Sequence, residues 1–214
     1  MKKGILFDLD GTLWDSSEQV VRSWNKCIRE KAGREEQITS EFMRSQCMGK
    51  TLPEIAALIF PDMEEAERLR ILKMCSEDEL DYLNGLKEGL PTLYPEECEI
   101  IKALAKEYTL GIVSNCQCGY IEVYLSQIDF AECFSDIECE GNTGLSKGKN
   151  IRLMMERQGI EECVYVGDTQ GDANAAKEAG VPFIHAAYGF GKADSCAAVL
   201  DDIRKLPEIV KTLL

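Results

Sequence analysis

Short apolar runs that stop at polar turn residues mark the strands of this chain, and apolar residues at helical spacing mark what lies between them. Gly4-Ile5-Leu6-Phe7-Asp8-Leu9 is such a run, and it ends at Asp10-Gly11-Thr12, the pattern of a buried strand followed by a turn. From Glu18 to Lys31 the apolar residues Val20, Val21, Trp24, Cys27 and Ile28 recur on one helical face, with Gly33 as a stop. Further helical patterns cover 39–48, 53–60 and 62–84, the last opened by Asp62 three residues before Glu65 in capping-box spacing. Residues 17–84 therefore read as all-helical. Beyond the turn-rich segment 85–95 the pattern alternates: helix 96–107, strand 110–114, helix 119–128, strand 134–139, helix 149–158, strand 163–167, helix 171–179, strand 181–186, then helical segments near 194–200 and 207–213. Strands regularly separated by helices imply a parallel sheet covered on both faces. The expected fold class is α/β: a core of residues 1–15 and 89–214 interrupted by a helical insert at 16–88.

Composition narrows the partners. The 214 residues carry 24 Lys plus Arg against 38 Asp plus Glu, a net charge of −14 that repels phosphate backbones and anionic membranes. Neither nucleic acid nor membrane is expected as a partner. The N-terminus meets Asp8 too early for the apolar segment of a signal peptide, so a cytoplasmic location is expected, and the chain is read as a monomer. Ten cysteines without a Cys-x-x-Cys pair, and His185 as the only histidine, argue against a zinc site and for thiols used in packing. Trp14 and Trp24 read as packing residues too.

In open parallel sheets the site lies at the carboxyl ends of the strands. The first strand ends in Asp8 and Asp10, the second in Ser114-Asn115, and a later one in Gly167-Asp168-Thr169 with Asp172 four residues on; Lys147 sits before a helix. Asp8 and Asp10 share one side of an extended segment, and Gly11 permits a sharp turn behind them. Clustered carboxylates without His or thiol donors call for a hard divalent cation, Mg2+. That ion would screen a phosphate dianion, while Ser114, Asn115 and Lys147 bind its remaining oxygens. Singly, each feature has an ordinary reading: a turn at Asp10-Gly11, a helix cap at Ser114-Asn115, a helix-dipole partner at Asp172, a solvated Lys147. Their joint occurrence at successive strand ends favours phosphoryl transfer.

These motifs resemble the haloacid dehalogenase superfamily in its phosphatase branch: Asp8-Leu9-Asp10-Gly11-Thr12-Leu13, Ile112-Val113-Ser114-Asn115 and Val166-Gly167-Asp168-Thr169-Gln170-Gly171-Asp172. Ala187-Tyr188-Gly189-Phe190-Gly191 is similar to a stretch of phosphoglycolate-phosphatase-like members. The resemblance implies a Rossmann-like core with a helical C1 cap at 16–88. It implies Asp8 as a nucleophile that forms an aspartyl-phosphate and Asp10 as the acid and base. Mg2+ would be held by Asp8, the Asp10 carbonyl and Asp168, with Asp172 a ligand or an orienting neighbour. The third-motif lysine is not in the common Lys-Pro-x-Pro setting; Lys147 is chosen over Lys149. A second departure lies at Leu93-Tyr94-Pro95-Glu96-Glu97. Substrate choice falls to the cap, where Gly49 and Lys50 of Met48-Gly49-Lys50-Thr51 are candidates to face the site, although a plain helix connector explains that loop as well. The expected activity is hydrolysis of a small phosphorylated metabolite, with phosphoglycolate first by resemblance. The alternatives are a sugar-phosphate mutase and a non-catalytic phospholigand-binding protein. The cap is expected to rock about linkers near 15–18 and 84–92, with Gly85 and Gly89 as hinges.

Overall fold

The computed structural model describes residues 1–35, 37–86, 93–94 and 96–214. Six parallel strands form one sheet in the order β3-β2-β1-β4-β5-β6. They are β1 (Lys3–Phe7), β2 (Thr109–Ser114), β3 (Phe134–Cys139), β4 (Glu162–Gly167), β5 (Phe183–Ala186) and β6 (Ala198–Leu200). β1 is central, with Phe7 in register with Ile112 on one side and Val166 on the other. Its continuous apolar run follows from burial on both faces. Ile5 and Phe7 join one core with α5 (Glu97–Leu104), α6 (Tyr120–Gln127) and α10 (Leu206–Leu213), while Leu6 faces the other with α8 (Lys147–Gln158) and α9 (Gln170–Ala179).

Between β1 and β2 lie α1 (Ser17–Lys31), α2 (Ser40–Phe42) running into a π turn over Met43–Cys47, α3 (Leu52–Ile59) and α4 (Glu65–Asn84). They enclose an apolar cluster of their own, built from Val20, Trp24 and Ile28 of α1 against Ile71, Leu72 and Cys75 of α4. The far end of α4 leaves it: Leu83 is buried in the sheet's core, which ties the insert to the α/β layer.

Three expectations are corrected. Residues 198–200 form an edge strand, with Ile184 paired to Ala198, rather than part of a helix; so short an apolar run carries no readable period, and sheet pairing decides it. The capping box belongs to Thr51 and Glu54 at the start of α3, not to Asp62, which sits in a turn before Glu64, the uncapped start of α4. Lys147 is the first residue of α8, which starts two residues earlier than its periodicity implies because Ser146 supplies the N-cap. A short helix α7 (Glu140–Thr143) follows β3. Gly85 has an ordinary helical φ of −83°. Gly89, Pro95 and the boundary at 88/89 lie outside the described residues.

Candidate active site

The carboxyl end of β1 opens the site. Asp8 remains on the ladder, donating its N–H to Val166 O at 2.8 Å, and the chain then folds back so that Thr12 and Leu13 donate to Leu9 O. Gly11 makes this turn at φ +79°, where a Cβ would lie 2.4 Å from Asp168 Oδ2. Only glycine suits both the backbone and the contact.

Lys147 Nζ lies 2.9 Å from Asp8 Oδ1 and 2.7 Å from Asp172 Oδ1, all three residues being buried. Asp172 Oδ2 accepts from Thr169 N–H at 2.9 Å and from its hydroxyl at 2.6 Å, a capping box that opens α9. Asp172 thus holds the lysine and the helix start at once. Asp168 Oδ2 accepts the Phe190 and Gly191 amides at 2.7 and 3.2 Å. Of the oxygens of Asp8, Asp168 and Asp172, two are buried without partners, Asp8 Oδ2 and Asp168 Oδ1. Asp8, Asp168 and Asp172 each bring an oxygen within 4.8 Å of the others. Three carboxylates against one ammonium leave two negative charges where water is excluded, and burying these without compensation is costly. Hard oxygen donors, two of them orphaned, fit a hard divalent cation. Burial and the Asp172 charge push Asp8 up to about 7, against Lys147. Burial, with the charges of Asp172 and Asp8, takes Asp168 to about 8. Burial opposes the Lys147 charge, but the Asp172 and Asp8 carboxylates outweigh it and raise the ammonium above its ordinary value.

Asp10 is held differently. Its Oδ1 accepts from Trp14 Nε1 at 3.0 Å, Ser16 Oγ at 3.2 Å and Tyr120 OH at 2.9 Å. Burial pushes its carboxyl to about 6 against those three donors. Asp8 and Asp10 are two residues apart, yet one is paired with a lysine and the other with neutral donors. Different environments of this kind give neighbouring carboxylates different roles.

Ser114 closes β2, is 4% exposed and shares a cleft with Asp10. The Asn115 amide donates to Gly49 O at 2.9 Å, so it binds the insert's loop to the sheet. Lys50 is exposed and lines the same cleft, whereas Lys149 points to solvent on α8. The sequence reading did not find Tyr120 or Ser16, and it saw only packing in Trp14. Tyr120 is 110 residues from Asp10, and nothing local marks the pairing. The Phe190 and Gly191 amides carried a faint signal in the glycines around them: a Cβ on Gly189 would lie 2.3 Å from Asp168 Cβ.

Comparison with known proteins agrees with this layout. The chain is 28% identical over 211 residues to a phosphoglycolate phosphatase of Shigella boydii, covering 88% of this chain and 82% of that one. It is 26% identical over 224 residues to the phosphoglycolate phosphatase of Salmonella typhimurium, covering 94% and 87%. The fold matches a haloacid dehalogenase-like family protein of Streptococcus pneumoniae with a TM-score of 0.82 at 16% identity, over 98% of each chain. It also matches a subfamily IA hydrolase of that superfamily from Geobacter sulfurreducens with a TM-score of 0.70 at 19% identity, over 98% of this chain and 96% of that one. The family profile of the haloacid dehalogenase-like hydrolases matches residues 5–186, which include every strand-end carboxylate described above, and the chain belongs to that family, on the side of its phosphatases.

Proposed function

We propose that the protein is a magnesium-dependent phosphatase that hydrolyses a small phosphate monoester through an aspartyl-phosphate at Asp8, with residues 1–15 and 89–214 as the catalytic core and 16–88 as its cap. The observation that carries this reading is the unequal treatment of the two β1 carboxylates. Asp8 keeps one oxygen on Lys147 and the other free beside Asp168, while Asp10 is held by Trp14, Ser16 and Tyr120.

Asp8, Asp168 and the Asp10 carbonyl would hold the magnesium ion, with Asp172 beside them; when bound, the ion neutralises the carboxylates and screens the phosphoryl oxygens. Lys147 together with the bound ion would keep Asp8 ionised, and the lysine and the Ser114 hydroxyl would meet phosphoryl oxygens. Asp8 forms a bond to phosphorus as the ester oxygen leaves, and that oxygen takes the proton carried by Asp10. Asp10, now a carboxylate, accepts a proton from the water that attacks phosphorus, which breaks the Asp8–phosphorus bond and frees inorganic phosphate. A carboxyl near 6 suits both halves of this cycle. The mutase alternative uses a cap imidazole by the resemblance; here His185 is the only histidine and it lies on β5 against Asp168 O at 3.1 Å.

p-Nitrophenyl phosphate turnover is expected with magnesium, and its loss with EDTA or in Asp8→Asn. Activity that persists in Asp8→Asn, or that is indifferent to chelation, would refute the assignment.

A further inference from the structure

A cavity of about 50 Å³ lies between the helical insert and the sheet, beside Asp10 and Ser114. Apolar side chains make most of its wall, among them Trp24, Met48, Leu52 and Ile55. Glu79 of α4 also lines it and is 2% exposed. Two donors fix this carboxylate: Trp24 Nε1 on Oε2, and Gln117 Nε2 on Oε1 at 3.0 Å. Each oxygen retains a lone pair for a further donor. Lys50 is the only cation among the described residues lining the cavity, and it is exposed.

Resting on the phosphatase reading, we propose that this cavity receives the leaving group of the substrate, and that Glu79 selects a small alcohol bearing a hydrogen-bond donor, a hydroxyl or an ammonium, over one bearing a carboxylate. The cavity adjoins the catalytic Asp10, so the part of the ester beyond the phosphate enters it. A donor there completes the hydrogen bonding of a carboxylate already turned inward by Trp24 and Gln117. Where Glu79 is ionised, a second carboxylate would meet an acceptor, with no buried cation to offset the repulsion. Burial pushes Glu79 up to about 8 while Trp24 and Gln117 draw it down. An ammonium beside it would draw it further down, and an anion would push it higher. The small cavity suits a short alcohol. The phosphoglycolate cleaved by the similar enzymes of Shigella and Salmonella, as their names state, is then a poor substrate here.

Three esters of equal length test this at pH 9, where Glu79 is ionised: 2-hydroxyethyl phosphate, phosphoethanolamine and phosphoglycolate. The expected kcat/KM for the first two exceeds that for phosphoglycolate at least tenfold. In Glu79→Gln, whose amide preserves the shape and can still accept from Trp24, the ratio of phosphoethanolamine to phosphoglycolate should fall at least tenfold. A ratio within each variant cancels any general loss of folding or chemistry. Phosphoglycolate as the preferred ester, or a ratio unmoved by Glu79→Gln, overturns the proposal. Calorimetric binding of the same esters separates it from the reading beneath it. If the donor-bearing esters bind best but none is hydrolysed, the cavity assignment stands and the phosphatase reading fails. If phosphoglycolate is hydrolysed best, the phosphatase reading stands and the cavity assignment fails.

Discussion

Replacing Lys147 with Met removes the single positive charge from the strand-end cluster and tests whether an ammonium holds the cluster together. Its contacts of 2.9 and 2.7 Å to Asp8 and Asp172 each represent about 6 kcal/mol of attraction at an effective dielectric of about 20. Desolvation of the ions offsets much of that, and breaking a buried pair from one side costs about 3–5 kcal/mol net. The cost must depend on pH. Asp8 and Asp168, already raised to about 7 and 8, rise further without the lysine, so the folded mutant binds more protons than its unfolded chain across the range above the unfolded carboxylate values. Its stability therefore falls as pH rises, and its deficit against the wild type is greatest near pH 8–9 and shrinks toward pH 5. Urea unfolding in EDTA at pH 5, 7 and 9 measures this. Magnesium should then restore more stability to Lys147→Met than to the wild type, because the cluster it enters carries three negative charges instead of two. A loss below about 1 kcal/mol at pH 8, or a deficit that does not change with pH, would refute the account of the cluster.

Tyr120→Phe removes one donor from Asp10 Oδ1, a charged-group bond of about 1.5–3 kcal/mol, so the Asp10 carboxyl should rise by about one to two units and carry the alkaline limb of the phosphorylation burst upward with it. Stopped-flow bursts between pH 5 and 9 would show it, and an unmoved limb would deny Tyr120 that role. Burial raises Glu97 to about 8 against the Tyr124 hydroxyl at 2.8 Å, so its ionisation opposes folding as pH climbs from about 4.5 through 8. Glu97→Gln should flatten that decline and exceed the wild type in stability at pH 9; denaturation curves that stay parallel would contradict it. Gly189→Ala should lose about 2–4 kcal/mol together with magnesium affinity, since its Cβ would lie 2.4 Å from Gly11 O as well as against Asp168. Calorimetric magnesium titration checks this, with wild-type affinity as the refuting result.

The sequence by itself determined the α/β class, the helical insert and the carboxylates at the strand ends, because these follow from periodicity and from short motifs whose residues are neighbours in the chain. Asp8, Asp10, Asp168 and Asp172 each lie within a few residues of the strand that presents them, and parallel strands bring their carboxyl ends to one edge. Lys147 was legible for the same reason and was preferred to Lys149 on the sequence; the structure sets it 2.9 Å from Asp8 and leaves Lys149 exposed. The edge strand at 198–200 was beyond reach because three residues carry no period, and pairing with β5 alone makes them a strand. Most hidden were the partners that set the chemistry. Tyr120 on Asp10, the Phe190 and Gly191 amides on Asp168, and Trp24 and Gln117 on Glu79 join residues that are 22 to 110 apart in sequence. A hydrogen bond across that separation leaves no trace in local composition. Only the packing of the helices against the sheet, which excludes water and leaves each buried oxygen a single set of neighbours, decides which donor it meets.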